Sequence, residues 1–136
     1  MRYLLDTDIC SFALKRRHGV VDRLNAFGPD DFRISAVTVA EAWTGAAKSH
    51  DPLGVRRAWD RFLKPFRILP FDEKAAEPYS TLRAHLETTG RMIGGNDALI
   101  AATALAHDLI VVTNNDDEFS RVPGLLVENW TKPPRS

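Results

Sequence analysis

Residues 97–119, DALIAATALAHDLIVVTNNDDEF, decide the fold. Asp97, Ile100, Ala101, Ala104 and Leu105 recur at helical spacing and predict a helix over 97–107. Because 98–106 is apolar nearly all round, that helix belongs inside the protein. The run LIVVT at 109–113 is apolar throughout, as expected of a strand covered on both faces. A buried helix feeding such a strand is one unit of a parallel sheet.

The rest of the chain repeats this alternation. Strand-like runs lie at YLL 3–5, FRISAV 32–37, RILPF 67–71 and LLVEN 125–129. Helical patterns are expected over 8–17, 20–26, 38–48, 53–64 and 72–88. In the last, Ala75, Ala76, Tyr79, Leu82, Arg83 and Leu86 share a face, and Gly90 is the stop. Pro78 inside it should bend or split the helix. The expected fold class is α/β: three α/β/α layers with a central parallel sheet of four to five strands. Ligands in such sheets bind outside the carboxyl ends of the strands.

A chain of 136 residues fits a single domain, taken as 1–131 with a frayed tail at 132–136. Lysine plus arginine equals aspartate plus glutamate, 18 against 18, so there is no basic surplus to announce a nucleic-acid partner. A zero sum also conceals an acidic pocket offset by basic surface elsewhere. The lone cysteine, Cys10, has no thiol to pair with; it reads as a core residue and suits a reducing cytoplasm. Neither a membrane-spanning run nor a signal-peptide layout is expected.

Four acidic places fall where the strands of an α/β sheet would end. LLDTD delivers Asp6 and Asp8 just past the first strand; either, or Thr7, also suits a helix cap. Glu41 follows the second strand, and Thr38-Val39-Ala40-Glu41 fits a capping box in which Glu41 reaches back to the Thr38 amide. Asp97 leads the inward face of the buried helix, with Asn96 available as its cap. Thr113, Asn114, Asn115, Asp116 and Asp117 follow the fourth strand and also suit a turn. Each acid alone has a structural explanation, but carboxylates crowded at one edge repel unless a cation neutralises them. An oxygen-only donor set selects Mg²⁺, with Mn²⁺ as a substitute, over zinc. That chemistry is phosphoryl transfer or phosphodiester hydrolysis.

Two families fit these residues. LLDTD has the DxD form of haloacid-dehalogenase-like phosphatases, which would make Asp6 a nucleophile and Asp8 the acid/base. That family wants a lysine before its late acids. The candidate, Lys74, opens the 72–88 helix instead, and Glu41 and Asp97 are left without a role. The whole chain instead resembles the PIN-domain ribonucleases, specifically the VapC-like toxins of toxin–antitoxin pairs. LLDTDIC, ISAVTVAEAWTGAAKS, IGGNDALIAA, TNNDDEF, VPGL and ENW carry the resemblance in order along the chain.

The resemblance implies a three-layer PIN-like nuclease domain and an Mg²⁺-dependent endoribonuclease. Asp6, Glu41, Asp97 and Asp116 would be its catalytic acids, with Asp6 and Asp97 as the metal ligands. Thr7, Asp8, Thr113 and Asn115 would support them, and Asn115 competes with Asp116 for the fourth position. Hydrolysis of RNA, tRNA or another structured species, would leave 5′-phosphate and 3′-hydroxyl ends. Arg91, Arg16 and Arg17 are the candidate phosphate contacts, although the two last also suit a helix C-terminus. Trp43, Trp59 and Trp130 suit core packing better than base stacking. The implied partners are the RNA, a VapB-like antitoxin and a second copy of the chain, with DNA reached only through the antitoxin. The non-enzymatic alternative is a PIN-like module that binds RNA or a partner without cutting.

Overall fold

The computed structural model describes residues 2–133. Its elements in chain order are β1 (Tyr3–Leu5), α1 (Thr7–Leu14), α2 (Val20–Asn25), a 3₁₀ turn (Pro29–Asp31), β2 (Phe32–Ser35), α3 (Ala36–Ala47) and α4 (Pro52–Leu63). They continue with β3 (Arg67–Leu69), α5 (Glu73–Thr88), α6 (Gly95–Ala106), β4 (Ile110–Val112), α7 (Asp116–Phe119) and β5 (Val127–Glu128). The expected strands and helices are all present, shifted at their ends by a few residues. The five strands form one all-parallel sheet in the order β3-β2-β1-β4-β5.

Alternation along β1 assigns the two faces. Tyr3 and Leu5 join Ile9, Cys10, Phe32, Ile34, Ala42, Trp59 and Trp130 on one side, beneath α1 to α4. Leu4 points the other way, to Leu82, Leu86, Ile100, Ala101, Val111 and Phe119, beneath α5 and α6. Helices on both faces make the three layers, and Cys10 is a buried core thiol as expected. Burying an aliphatic or aromatic side chain contributes about 1.5–3 kcal/mol, so the continuous β1–β4 pair is the natural centre of stability. Trp59 and Trp130 are likewise core residues. Trp43 stays partly exposed, with the Arg56 guanidinium 3.6 Å from its ring centre.

Three expectations change. Pro78 does not split its helix: α5 is continuous from Glu73 to Thr88, held along α6 by Leu82 and Leu86. The α3 cap is Ser35, whose Oγ accepts from the Val37 amide at 3.0 Å, so no Thr38–Glu41 capping box forms. Lys132, placed in the expected tail, is held to the domain. The Lys132 carbonyl accepts from Arg23, and its ammonium meets Asp116 at 3.3 Å. Residues 134–136 lie outside the described residues.

Chain order reverses across β1: β2 and β3 lie on one side, β4 and β5 on the other. The crevice above the carboxyl ends of β1 and β4 is therefore the topological switch point, where ligands of open α/β sheets bind. Asp6 and Thr113 stand there, one residue past each strand, tied by the Asp6 amide donating to the Val112 carbonyl at 3.0 Å.

Candidate active site

Asp6 ends β1 and caps α1, its Oδ1 accepting from the Ile9 amide at 2.9 Å. It is only 4% exposed. Burial pushes its carboxyl up to about 7, with the charges of Asp8 and Asp97 adding to the rise. Hydrogen bonds from Thr113 and the Ile9 amide pull the other way without cancelling it. Asp6 thus does both things its sequence position allowed: it caps a helix and sits buried beside other acids. Asp8, two residues on, is exposed at the mouth.

Glu41 arrives from the second turn of α3 and is half-buried. With the capping role taken by Ser35, its Oε1 accepts a 2.5 Å hydrogen bond from the Thr7 hydroxyl, which lies 3.1 Å from the buried Thr38 hydroxyl. Thr7, expected as a support, is the residue that fixes Glu41. Thr38 backs it from below.

Asp97 is half-buried in the first turn of α6, whose cap is Gly94 and not Asn96. Burial is the largest cause that lifts its carboxyl to about 7. The Glu118 charge and hydrogen bond, then the charges of Glu41 and Asp8, add to it. Glu118 is therefore the acid that stands against Asp97.

Glu118 is the site acid that the sequence reading passed over. One of its oxygens accepts from the Gly94 amide and the other from the Asn115 side chain, which locks α7 to the start of α6. The expected fourth acid, Asp116, faces elsewhere. Its carboxylate accepts from Asn129 at 3.1 Å and pairs with Lys132 at 3.3 Å, and the Asn129 bond chiefly holds it below the ordinary range. At about 100° per residue, positions 116 and 118 of a helix point in nearly opposite directions, so only one can face Asp97. Asn115 shares the Glu118 side and serves as its donor; its own amide is held by Thr113 Oγ1 at 2.8 Å. The E of TNNDDEF was the available signal.

The basic candidates are not gathered at the acids. Arg16 and Arg17 follow the far end of α1, about 12 Å of helix from Asp6. Arg16 lines an apolar groove with Leu14, Val21, Leu24 and Phe62. Arg91 is exposed beyond Gly90, which ends α5 at φ +68°. Two open grooves, of about 570 and 600 Å³, flank Glu41; Asp8 and Thr7 line one, Asn96 and Leu99 the other.

The oxygen-only donor set and two carboxyls lifted towards neutrality suit a divalent cation, which would favour their charged forms. Among the described residues no three His, Cys, Asp or Glu side chains stand close enough to share one ion. Glu41 and Glu118 are folded onto Thr7, Gly94 and Asn115, so gathering the acids requires these two side chains to rotate.

A five-stranded parallel sheet with acids from β1, α3 and α6 at its switch point defines a PIN domain, and residues 3–125 match the PIN domain family. The chain is 38% identical over 134 residues to ribonuclease VapC2 of Rickettsia felis, covering 97% of this chain and 100% of that protein. It is 36% identical over 131 residues to the tRNA(fMet)-specific endonuclease VapC of Shigella flexneri, covering 96% and 99%. The fold superimposes on VapBC2 from Rickettsia felis bound to a promoter DNA fragment, with a TM-score of 0.90, 37% identity and coverage of 96% and 99%. The DNA-bound VapBC of Salmonella typhimurium gives 0.89, 34% identity and coverage of 96% and 98%. The chain belongs to the VapC ribonucleases of the PIN-domain family. The phosphatase alternative falls with this, and Lys74 shows why: it acts on His107, at the far end of α6 from the acids.

Proposed function

We propose that this ribonuclease is a divalent-metal-dependent endoribonuclease, with Mg²⁺ as the working ion, and the toxin of a toxin–antitoxin pair. The observation that carries the metal is the state of Asp6 and Asp97: two acids from opposite sides of the switch point, both raised to about 7. When bound, such an ion neutralises phosphate charge and makes water a competent nucleophile near neutral pH. Asp6 and Asp97 are the residues that would hold it, with Glu41 and Glu118 completing the oxygen set after rotation.

The chain's own groups orient the rest. Ile9 N–H and the Thr113 hydroxyl fix the Asp6 carboxylate, while Thr7 holds Glu41, and Asn115 with Gly94 N–H holds Glu118, in the arrangement from which the two glutamates rotate. Attack by water on phosphorus, in line with the departing 3′ oxygen, leaves a 5′-phosphate and a 3′-hydroxyl. The relative from Shigella flexneri, named for tRNA(fMet), supports tRNA as the first substrate to try.

The structural neighbours are complexes with VapB, which supports a VapB-like antitoxin for this chain. The surface suited to it is the apolar groove of about 540 Å³ between α1, α2 and α4, rimmed by Arg16 and Arg61. An amphipathic segment with acidic flanks fits that lining. A homodimer and cytoplasmic residence belong to the same reading.

The deciding experiment is cleavage of end-labelled total tRNA by the antitoxin-free chain with Mg²⁺, Mn²⁺ or EDTA, beside Asp97→Asn. Fragments ending in 3′-hydroxyl, dependent on metal and absent from the variant, are expected. RNA retained but uncut at saturating Mg²⁺ and Mn²⁺ would instead mark a binding module.

A further inference from the structure

At the end of α6 remote from the acids, basic side chains crowd a small cavity. It holds about 140 Å³ and is lined by Arg2, Arg33, Arg67, Leu69, His107 and Leu109. Arg2 precedes β1, Leu109 precedes β4, and His107 closes α6. A helix of twelve residues, about 18 Å long, separates His107 from the Asp97 end. This is a second locus and shares no residue with the acidic one.

Three observations indicate a missing negative partner. Arg33 is only 9% exposed, and its Nη1 donates to the Asp30 and Phe32 carbonyls at 2.8 and 2.9 Å. Among the described residues no carboxylate forms an ion pair with it, although a buried unpaired charge is costly. Arg33 also stands directly opposite Arg67 in the β2–β3 register, and like charges facing one another across strands destabilise a sheet. Finally, His107 Nε2 is buried with no hydrogen-bond partner among the described residues.

The nearby charges do not resolve this. Burial, and then the charge of Lys74, hold the His107 imidazole below its ordinary range; Arg67 and Arg33 add to that, and Asp72 opposes it. The Asp72 carboxylate is already engaged as the α5 cap, accepting from the Ala75 amide at 3.3 Å. The cavity is well under the roughly 300 Å³ of a drug-sized site. It has room for about four or five waters at ~30 Å³ each, which is the scale of one compact tetrahedral anion.

We propose that this cavity binds a compact oxyanion of the phosphate class, held by Arg33, Arg67 and Arg2, separately from the nuclease site. The source is either free phosphate or the terminal phosphate of a nucleotide, whose extra charge over an internal phosphodiester suits three arginines. The inference stands whether or not the acidic site cuts RNA.

The test follows the imidazole resonances of His18, His50, His85 and His107 in the metal-free full chain during titration with sodium phosphate. Sodium chloride at matched ionic strength is the control. A saturable phosphate-specific shift of His107 alone is expected, weakened about tenfold or more in Arg67→Gln and in Arg2→Gln. Both arginines are exposed, so the variants should fold, and tRNA cleavage by Arg67→Gln should match the parent. A 5′-phosphorylated dinucleotide that reproduces the shift identifies a terminal phosphate as the source; inorganic phosphate acting alone identifies the free anion. No shift beyond that of chloride, an undiminished shift in both variants, or an equal response to a 5′-hydroxyl dinucleotide would overturn the proposal.

Discussion

At the scale of single residues, the site turns on which way two neighbouring acids of α7 face. Asp116 spends its carboxylate on Asn129 and Lys132, whereas Glu118 faces Asp97 and accepts from the Gly94 amide. Glu118→Gln should therefore lower kcat/KM for RNA about 10- to 100-fold, the usual cost of losing a group that orients a metal ligand, the role proposed for Asp97. It should also move the acidic limb of the pH–rate profile downward, because the Glu118 charge helps raise Asp97. Asp116→Asn should stay within about twofold of the parent, as expected for a residue that orients no ligand. Parallel kinetics on one RNA decide it: a dead Asp116→Asn beside a normal Glu118→Gln would reverse the assignment. Asp6, Glu41 and Asp97 were legible as site candidates because each follows a strand or leads a buried helix face. The choice between 116 and 118 was not, because it depends on where a single turn begins, and both residues are acids.

At the scale of elements, the capping of α3 decides what Glu41 is free to do. Ser35 is fully buried and caps α3 from the end of β2, so the helix starts before Thr38 and Glu41 falls in its second turn, facing Thr7. Removing the cap with Ser35→Ala should cost about 1 kcal/mol, a fall in Tm of roughly 3–5 °C for a domain of this size. Thermal unfolding of the metal-free chain reads it directly. Cleavage should fall as well, since the Thr7–Glu41 contact depends on the pitch and start of this helix; an unchanged Tm would show that the cap is idle. The element map itself was largely legible: hydrophobic period gave the five strands and α1 to α6 to within a few residues, but not the short α7. Caps were the weak point. Thr38-x-x-Glu41 is a good local capping box, yet Ser35 wins because β2 ends there and the tertiary fold sets the start. Pro78 failed as a helix breaker for a related reason: packing of Leu82 and Leu86 on α6 outweighs one lost backbone hydrogen bond.

At the scale of the whole molecule, the acidic crevice makes stability depend on pH in a direction that is unusual for carboxylates. Asp6 and Asp97 rise from 3.8 to about 7 on folding. Between those values the folded chain holds protons that the unfolded chain has released, so stability must fall as pH rises from about 4 to about 7. For buried Asp6 alone the displacement corresponds to roughly 4 kcal/mol as an upper bound; Asp97, half exposed, adds less than its displacement suggests because solvent screens it. The metal-free protein should thus melt several degrees lower at pH 7.5 than at pH 5.5. Asp97→Asn, which removes one charge from the crevice, should flatten that slope. Divalent ions bind the ionised acids, so Mg²⁺ or Mn²⁺ should raise Tm at pH 7.5 and do little at pH 5.5, where protons occupy the same oxygens. Calorimetry across this range, with EDTA and then with each metal, separates the two effects. A metal-free Tm that climbs with pH would mean that Asp6 and Asp97 are already neutralised within the protein, and the case for a cation at the switch point would fail with it.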